Sequence, residues 1–331
     1  MLPELPNTKK LTDQVFSISN EKAFLQIALE VFRFQYFHNP VYGDYCKAIG
    51  RSPEDVKSLQ SIPFLPIAFF KTHAVTTGDV EPEVIFKSSG TTGQTTSRHL
   101  LKDASLYERS FLACFEKFFG RPEQHCILGL LPSYLEQGSS SLVYMVDDLV
   151  RKSAHPQSGF YLYDHAKLSE TLMQLEAAKQ PTVLFGVTYA LLDFAESSPM
   201  PLSSTIIIET GGMKGRKKEL TKAALYQQLG AAFSKNIIHS EYGMTELLSQ
   251  AYAENGRYKC PPWMKVLLRD ETDPFCIGGN SGAINVIDLA NLWSCSFIAT
   301  EDLGKRHTDG SFEVMGRIDN TDIRGCSQLA L

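Results

Sequence analysis

Six small residues, Ser88-Ser89-Gly90-Thr91-Thr92-Gly93, directly follow a run typical of a β-strand, Val84-Ile85-Phe86. The glycines allow backbone N–H groups to converge on one point, and the four hydroxyls supply further hydrogen-bond donors. Such a loop suits the phosphates of a nucleoside triphosphate, although a flexible surface loop has the same composition. A Walker A loop would continue with Lys and then Ser or Thr, whereas Gly93 is followed by Gln94-Thr95. This departure disfavours an ordinary P-loop NTPase.

A second segment rich in reactive side chains, Glu241-Tyr242-Gly243-Met244-Thr245-Glu246, follows the apolar run Asn236-Ile237-Ile238-His239. The Tyr242 ring can stack on a base, and the Thr245 hydroxyl can bind a phosphate or carboxylate oxygen. The Glu246 carboxylate can hold Mg²⁺ that bridges phosphates. The alternative is a helix N-terminus whose first turn contains Thr245 and Glu246.

Two more loops follow predicted strands in the same way. Thr210-Gly211-Gly212 ends one such strand, and its glycines would let a flat ring approach the backbone, although a packing turn explains them equally well. Thr300-Glu301-Asp302-Leu303-Gly304 precedes Gly316-Arg317-Ile318-Asp319 in the chain. The Asp302 carboxylate can accept hydrogen bonds from both hydroxyls of a ribose.

Composition limits the classes of function. With 331 residues, 43% of them hydrophobic, the chain can bury the cores of two or three packed lobes. A net charge of −5, with no basic stripe beyond residues 214–218, argues against broad nucleic-acid binding. The apolar runs fall far short of the roughly 20 residues that span a bilayer. The N-terminus lacks the basic and apolar regions of a secretion signal, so we expect a cytoplasmic protein.

The seven cysteines predict neither a zinc site nor a disulfide framework, because no C-x-x-C pair or nearby histidine pattern is present. Most of these thiols are expected to be small buried side chains. Cys326 differs, since it lies in Arg324-Gly325-Cys326-Ser327, where a neighbouring cation and a glycine favour an exposed, reactive thiol. The alternative is a small core thiol near the chain end.

Hydrophobic periodicity predicts an α/β fold. Asn20 is placed to cap a helix with one apolar face, formed by Phe24, Ile27, Ala28, Val31 and Phe34. Further helices are predicted over 105–119, 141–152 and 168–179, and strands over 126–131, 183–186 and 204–209. This alternation predicts parallel β-α-β units with ligand-binding loops at the carboxyl ends of the strands. From about residue 260 to 314, short strands and turns indicate a small β-barrel or sheet.

These loops, in this order, resemble the motifs of the AMP-forming acyl-adenylating superfamily, which includes acyl-CoA synthetases and firefly-type luciferases. The resemblance covers residues 60–325 and implies the large N-terminal domain of that superfamily, with parallel β-α-β sheets and a small β-barrel-like subdomain. It implies ATP and Mg²⁺ as cofactors, with Glu246 as the metal ligand. The matched positions are the phosphate loop Ser88 to Gly93, the adenine-side loop Thr210-Gly211-Gly212, the Tyr-Gly-x-Thr-Glu motif with Glu241, Tyr242, Gly243, Thr245 and Glu246, the ribose-binding Asp302, and the Gly-Arg-x-Asp hinge with Arg317 and Asp319.

The resemblance also suggests boundaries and two departures. We expect a first α/β subdomain over 1–205, a second α/β segment over 206–259, a small β subdomain over 260–315 and a hinge-like tail over 316–331. The usual phosphate loop continues with Pro-Lys-Gly, whereas this one continues with Gln94 to Arg98, so a cation must come from Arg98 or elsewhere. The chain ends at Leu331, and we therefore expect the C-terminal lid domain and its catalytic lysine to be absent.

Within the superfamily, Ser88-Ser89, the segment Glu241 to Gln250 and the segment Arg324 to Ser327 resemble the LuxE-like acyl-protein synthetases of bacterial luminescence operons. This resemblance implies that a carboxylic acid, fatty or aryl, is adenylated with ATP and that the acyl group passes to Cys326 before delivery to an acyl reductase. Segments 130–134 and 185–189 are expected to line the acyl pocket. The alternatives are acyl-CoA ligation, transfer to an acyl-carrier protein, and a non-catalytic nucleotide-binding protein.

Overall fold

The computed structural model describes residues 7–88, 95–132, 138–211 and 220–318. Over these ranges the chain forms an α/β fold built on one large mixed sheet. The described helices are α1 (Thr8–Phe16), α2 (Glu21–His38), α3 (Pro40–Ala48), α4 (Phe69–Thr72), α5 (Ala104–Phe119), α6 (Ser141–Ser153), α7 (His165–Ala177), α8 (Thr188–Ser197) and α9 (Lys222–Phe233). Within the same ranges, no helix combines the length and apolarity needed to cross a membrane.

The described strands belong either to this sheet or to a separate two-stranded hairpin formed by β2 and β3. They are β1 (Leu65–Pro66), β2 (Val84–Lys87), β3 (Arg98–Leu101), β4 (Cys126–Leu130), β5 (Gly159–Phe160), β6 (Thr182–Val187), β7 (Thr205–Thr210), β8 (His239–Tyr242), β9 (Ala251–Glu254), β10 (Arg257–Lys259), β11 (Met264–Arg269), β12 (Ser281–Asp288), β13 (Phe297–Arg306) and β14 (Phe312–Arg317). Strand β2 ends just before the expected phosphate loop, and strand β3 begins after it.

Five strands form the parallel half of the large sheet, in the order β8-β7-β6-β4-β5. Helices α6, α7, α8 and α9 connect successive strands of this half, which gives repeated β-α-β winding. Strands β4 and β6 are buried along their whole length, as expected for parallel strands that are covered on both faces. The predicted helices and strands of this region are confirmed to within a few residues, and so is the parallel winding.

The antiparallel half extends the same sheet from β8 through β9, β10, β14, β13 and β12 to β11. It contains the short strands and turns expected between about 260 and 314. The expected boundary between 205 and 206 falls inside β7, which pairs with β6 on one side and β8 on the other.

The antiparallel half curls strongly. Four inter-strand steps separate β8 from β13 in the sheet order, a distance of about 19 Å in a flat sheet. The side chains of Tyr242 on β8 and Asp302 on β13 nevertheless form a hydrogen bond of 2.8 Å. The strands must therefore bend round on one another, which brings the end of the parallel half against the antiparallel half.

The N-terminal helices pack on the antiparallel half. The Asn20 side chain caps α2 by accepting a hydrogen bond from the Ala23 N–H at 2.9 Å, and the predicted apolar face is buried, so this prediction is confirmed. Buried Gln35 on α2 donates to the Asn291 carbonyl at 2.9 Å and accepts from the Ser296 N–H at 2.9 Å. Helix α2 therefore fixes the loop after β12, which in turn contacts the candidate site.

Candidate nucleotide site

Three of the predicted nucleotide-binding residues lie together where the two halves of the sheet meet. Tyr242 ends β8, and its hydroxyl donates to Asp302 Oδ2 at 2.8 Å. Asp302 and Arg317 are cross-strand partners on β13 and β14, and Arg317 Nε lies 3.4 Å from Asp302 Oδ1. The carboxylate predicted to bind ribose is thus held between a phenol and a guanidinium.

The Tyr242 ring positions Asp302. Only 8% of Tyr242 is exposed, and its ring packs edge-to-face against Tyr258 and Phe312 with centroid distances of 5.9 and 5.5 Å. Burial raises the pKa of the Asp302 carboxyl, while the Tyr242 hydrogen bond and the Arg317 charge act to lower it. The described contacts of Tyr242 are therefore those of a residue that orients Asp302, in addition to any contact with a base.

The residues expected on the adenine side lie next to this cluster. Thr210 and Glu241 are partners on the parallel strands β7 and β8, and the Thr210 hydroxyl donates to the Glu241 carboxylate. Burial raises the pKa of Glu241 to about 7.

Two glycines lie beside these residues. Gly211 has φ +77°, a conformation that favours glycine, and a Cβ at Gly243 would collide with the Glu241 carboxylate. The backbone conformation therefore favours glycine at 211, and glycine at 243 leaves space for the Glu241 carboxylate.

The phosphate side is built from the β2–β3 hairpin and Glu246. Ser88 and Ser97 close the hairpin, with Ser88 N to Ser97 O at 3.1 Å and Ser97 N to Ser88 Oγ at 2.9 Å. Glu246 is only 4% exposed, and this burial raises the pKa of its carboxyl. The Ser97 hydroxyl and the charges of Arg317 and Lys71 act in the opposite direction. Glu246 therefore lies close to Ser97, next to the base of the expected phosphate loop.

Of the two expected sources of a cation for this site, Arg98 or a residue elsewhere, Arg98 lies on the exposed face of the hairpin. Phe86 and His99 are buried cross-strand partners in the hairpin, and alternation places the exposed Arg98 on the opposite face. Lys71, which follows Phe70 in α4, acts electrostatically on Glu246 instead. The Phe70 ring packs edge-on against His99 with centroids 5.9 Å apart, so α4 lies on the Glu246 side of the hairpin.

Sequence reasoning missed Asp288, which holds the segment after the Tyr-Gly-x-Thr-Glu motif. Asp288 is fully buried at the end of β12, and its Oδ2 accepts from the N–H groups of Leu248 and Ser249 at 2.7 and 2.9 Å. Its Oδ1 accepts from the Ser249 hydroxyl at 2.6 Å. Burial raises the pKa of Asp288, and these hydrogen bonds act to lower it. The only feature of the sequence that could have pointed to Asp288 is its position directly after the apolar run that ends at Ile287.

The alternative that a helix begins at Thr245 and Glu246 is wrong. Leu247 N donates to the Met244 carbonyl at 3.1 Å, which closes a turn, and the chain then continues without helix into β9. The N–H groups that would enter a helix are bound to Asp288 instead. An irregular backbone leaves the Thr245 and Glu246 side chains at the carboxyl edge of the sheet.

The two segments expected to line the acyl pocket lie side by side. Leu130 at the end of β4 is the parallel partner of Gly186 on β6. A Cβ at Gly186 would approach Leu191 Cγ to 2.5 Å, so glycine permits α8 to pack closely after β6. Residues 133–134 of the expected pocket lie outside the described residues.

Several other predicted residues also lie outside the described ranges, so their roles remain predictions: Ser89, Gly90, Thr91, Thr92, Gly93, Gly212, Asp319 and Cys326. Among residues that the structure describes, no group of three or more Asp, Glu, His or Cys side chains could hold a metal ion.

Comparison with known proteins identifies relatives along the whole chain, although no family model matches it. The long-chain-fatty-acid–luciferin-component ligase of Vibrio harveyi is 23% identical over 344 residues, which cover 96% of this chain and 89% of that protein. The protein of the same name from Photorhabdus luminescens is 30% identical over 99 residues, which cover 27% of this chain and 84% of that protein.

Solved structures show the same fold. ATP-bound MatB from Rhodopseudomonas palustris has a TM-score of 0.53 at 20% identity, and the match covers 70% of this chain and 47% of MatB. This chain thus spans about half the length of MatB. A 2-hydroxyisobutyryl-CoA ligase, solved in the postadenylation state with 2-HIB-AMP, has a TM-score of 0.64 at 15% identity, and the match covers 90% of this chain and 68% of the ligase.

The fold is that of the acyl-adenylate-forming ligases. The chain belongs to the LuxE-like family within the AMP-forming superfamily, which is the family of the long-chain-fatty-acid–luciferin-component ligases. The resemblance expected from the order of the sequence motifs is thereby confirmed.

Replacing Tyr242 by Phe tests the positioning of Asp302. The variant keeps the ring and removes the hydroxyl that donates to Asp302. Loss of one hydrogen bond to a charged acceptor is worth about 1.5 kcal/mol, so the KM for ATP in acid-dependent ATP–pyrophosphate exchange should rise about tenfold. Tyr258→Phe is the matched control, because it removes another buried hydroxyl from the same ring cluster. Equal KM values in wild type and Y242F would contradict the assignment.

Replacing Glu241 by Gln tests the environment of its carboxyl. Its pKa is 4.5 when unperturbed and about 7 in the fold, so between these values the folded state binds more protons than the unfolded state. Glu241 therefore makes the free energy of unfolding fall as pH rises from about 4.5 to about 7. Thermal unfolding measured across this range should show a shallower decline for E241Q than for wild type. The control is E271Q at the exposed Glu271, and identical slopes in all three proteins would refute the buried environment.

Proposed function

We propose that the protein activates a carboxylic acid with ATP, forming an acyl-adenylate and pyrophosphate, and then transfers the acyl group to the thiol of Cys326. The observation that carries this proposal is the Tyr242–Asp302 hydrogen bond, which joins two motifs separated by 60 residues of sequence at one rim of the sheet. Relatives that are named long-chain-fatty-acid ligases support a fatty acid as the substrate.

Each part of the nucleotide has a candidate binding group at this edge. The Asp302 carboxylate accepts the ribose hydroxyls while Tyr242 and Arg317 hold it in place. The purine lies against Gly211 and the Glu241–Gly243 backbone, and Gly211 leaves open space for a flat ring. The polyphosphate binds at Ser88 and the glycine-rich loop that follows it.

Glu246 is the candidate ligand for Mg²⁺. Mg²⁺ is commonly held by one or two carboxylates together with substrate phosphates and water, so a single buried carboxylate beside a phosphate loop fits this ion. The absence of a cluster of ligating side chains within the described ranges agrees with a site that the nucleotide completes. When bound, the ion neutralises charge on the phosphates.

In the first half-reaction, a carboxylate oxygen of the acid attacks the α-phosphorus of ATP. The bond from that phosphorus to the β-phosphate oxygen breaks, and pyrophosphate leaves with the electron pair. No proton is transferred, because the nucleophile is already an anion, so catalysis consists of positioning and electrostatic stabilisation. The Thr245 hydroxyl donates to the oxygens near the reacting phosphorus, while the Asp302 cluster holds the ribose.

In the second half-reaction, the thiolate of Cys326 attacks the acyl carbonyl carbon, and AMP leaves to give a thioester. The described cysteines offer few alternatives as the nucleophile. Cys46, Cys114, Cys126 and Cys295 are buried, and burial raises the pKa of each of these thiols. Cys276 is exposed and is therefore the matched control. Coenzyme A, an acyl-carrier protein or an acyl reductase would act as the later or alternative acceptor.

Replacing Glu246 by Gln tests the first half-reaction. The variant keeps the size of the side chain and removes its charge, and loss of such a stabilising group should lower kcat for acid-dependent ATP–pyrophosphate exchange by about 100-fold or more. The exposed Glu254→Gln provides a charge-matched control, and thermal unfolding of both variants checks the fold. Wild-type exchange that proceeds equally well in E246Q, or that needs no acid, would contradict the proposal.

Replacing Cys326 by Ser tests the second half-reaction. Incubation of the protein with ATP and a radiolabelled fatty acid should leave hydroxylamine-sensitive label on wild type and on C276S. The C326S variant should lose that label while it retains ATP–pyrophosphate exchange. Undiminished label on C326S would overturn the assignment of the acyl acceptor, and acid-dependent consumption of coenzyme A would favour acyl-CoA ligation instead.

A further inference from the structure

A buried histidine joins the hairpin of the phosphate loop to the Thr-Glu motif. His99 lies on β3 and is 1% exposed. Its Nδ1 lies 2.8 Å from the carbonyl oxygen of Thr245, and its Nε2 lies 3.1 Å from Asn291 Oδ1. These contacts cross 146 and 192 residues of sequence. A single ring therefore connects three segments that meet only in the folded protein.

Asn291 completes this connection from the other side. Its Nδ2 donates to the carbonyl of Glu246 at 2.8 Å and to the carbonyl of Cys295 at 3.0 Å. Because both partners are acceptors, the amide nitrogen must point at them, and Oδ1 must point at His99. His99 and Asn291 together hold the consecutive carbonyls of Thr245 and Glu246.

The ring acts as a neutral donor. Both of its nitrogens face acceptor oxygens, and a neutral imidazole can donate only once. Burial lowers the pKa of His99 to about 4, so the ring is neutral at pH 7. The shorter contact assigns the proton to Nδ1, which donates to Thr245. Nε2 then carries no proton and donates no hydrogen bond to Asn291 Oδ1, so the hydrogen bond that the ring makes is the one to Thr245.

We propose that His99 and Asn291 are positioning residues for adenylation, an inference that rests on the proposed function. They fix the Thr245–Glu246 peptide relative to β2 and β3, the strands on either side of the phosphate loop. The Glu246 carboxylate and Ser88, which ends the described part of the hairpin before the loop, are thereby kept at a constant separation. An error of about 1 Å in such a separation can cost about 100-fold in rate.

The proposal predicts which kinetic constant changes. Ribose and purine contacts arise from Asp302, Tyr242 and Gly211, which His99 does not touch. Loss of the His99 contact should therefore leave ground-state binding of ATP largely intact. The rate of the step in which charge develops on the α-phosphate should fall, and kcat should therefore be lower.

Substitutions at His99 test which of its two contacts supports catalysis, the one from Nδ1 to the Thr245 carbonyl or the one from Nε2 to Asn291. In His99→Asn the side-chain amide nitrogen can occupy the place of Nδ1 and still donate to the Thr245 carbonyl. In His99→Gln the amide reaches the place of Nε2, and in His99→Leu both contacts are lost. For ATP–pyrophosphate exchange we expect kcat to fall about 10-fold to 100-fold in H99Q and H99L, with KM for ATP within about threefold of wild type. H99N should retain kcat within about threefold.

His125→Leu is the matched control for the loss of a buried histidine. The His125 ring is also buried and contacts a backbone carbonyl, that of Phe119 at 2.8 Å, near the amino end of β4 and away from the site. H125L should lower the melting temperature as H99L does, yet leave kcat close to wild type. A kcat loss in H125L equal to that in H99L would show that general destabilisation is responsible and would overturn the proposal.

Two readouts separate this inference from the proposed function. If wild type shows no acid-dependent exchange with any carboxylic acid, the proposed function fails. If wild type is active and folded H99L matches its kcat, or if H99N and H99Q are equally impaired, only the positioning role fails. Hydrogen exchange of a peptide covering residues 243–250 needs no activity: it should accelerate in H99L and not in H125L, and unchanged exchange in H99L would also contradict the positioning role.

Discussion

The structure of the candidate site depends on one hydrogen bond, from the Tyr242 hydroxyl to the Asp302 carboxylate. It connects the last parallel strand to a strand four steps further along the sheet, and the connection is compatible only with a strongly curled antiparallel half. The curl brings Thr210 and Glu241, at the ends of β7 and β8, to the same rim as Asp302, the residue proposed to bind ribose. Burial disfavours the charge on Asp302, and the phenol and the Arg317 guanidinium offset part of that cost. A shared rim is what allows one nucleotide to contact both halves.

The Thr-Glu segment belongs to neither helix nor strand, so its backbone groups need other partners. Asp288 binds two of its N–H groups, and His99 and Asn291 bind two of its carbonyls. Gln35 holds the loop that contains Asn291 from the opposite side. These fully buried polar side chains are costly unless every partner is present, and together they define one conformation. These hydrogen bonds fix the irregular backbone at Thr245, Glu246, Leu248 and Ser249.

The sequence predicted the regular elements well, because periodicity and caps are local signals. Asn20 and the apolar face that follows it identified α2, and alternating strands and helices identified the parallel half. The order of short motifs predicted the family and grouped Tyr242, Asp302 and Arg317 in one site, and the Asp302 carboxylate contacts both of the other side chains. Asp288, Asn291 and His99 could not be found, because their partners in the candidate site lie 39 to 192 residues away. The alternative of a helix that begins at Thr245 is wrong for the same reason. The N–H groups of Leu248 and Ser249 donate to the distant Asp288 carboxylate and not to carbonyls of a helix.

The central claim is that a single crevice binds the phosphate, ribose and purine of one nucleotide. A crystal structure of the protein with bound AMP tests it most directly. Both ribose hydroxyls should lie within hydrogen-bonding distance of the Asp302 carboxylate, with the purine beside Gly211 and Glu241 and the phosphate directed toward Thr245. AMP bound on another face, or bound here without contact to Asp302, would contradict the account.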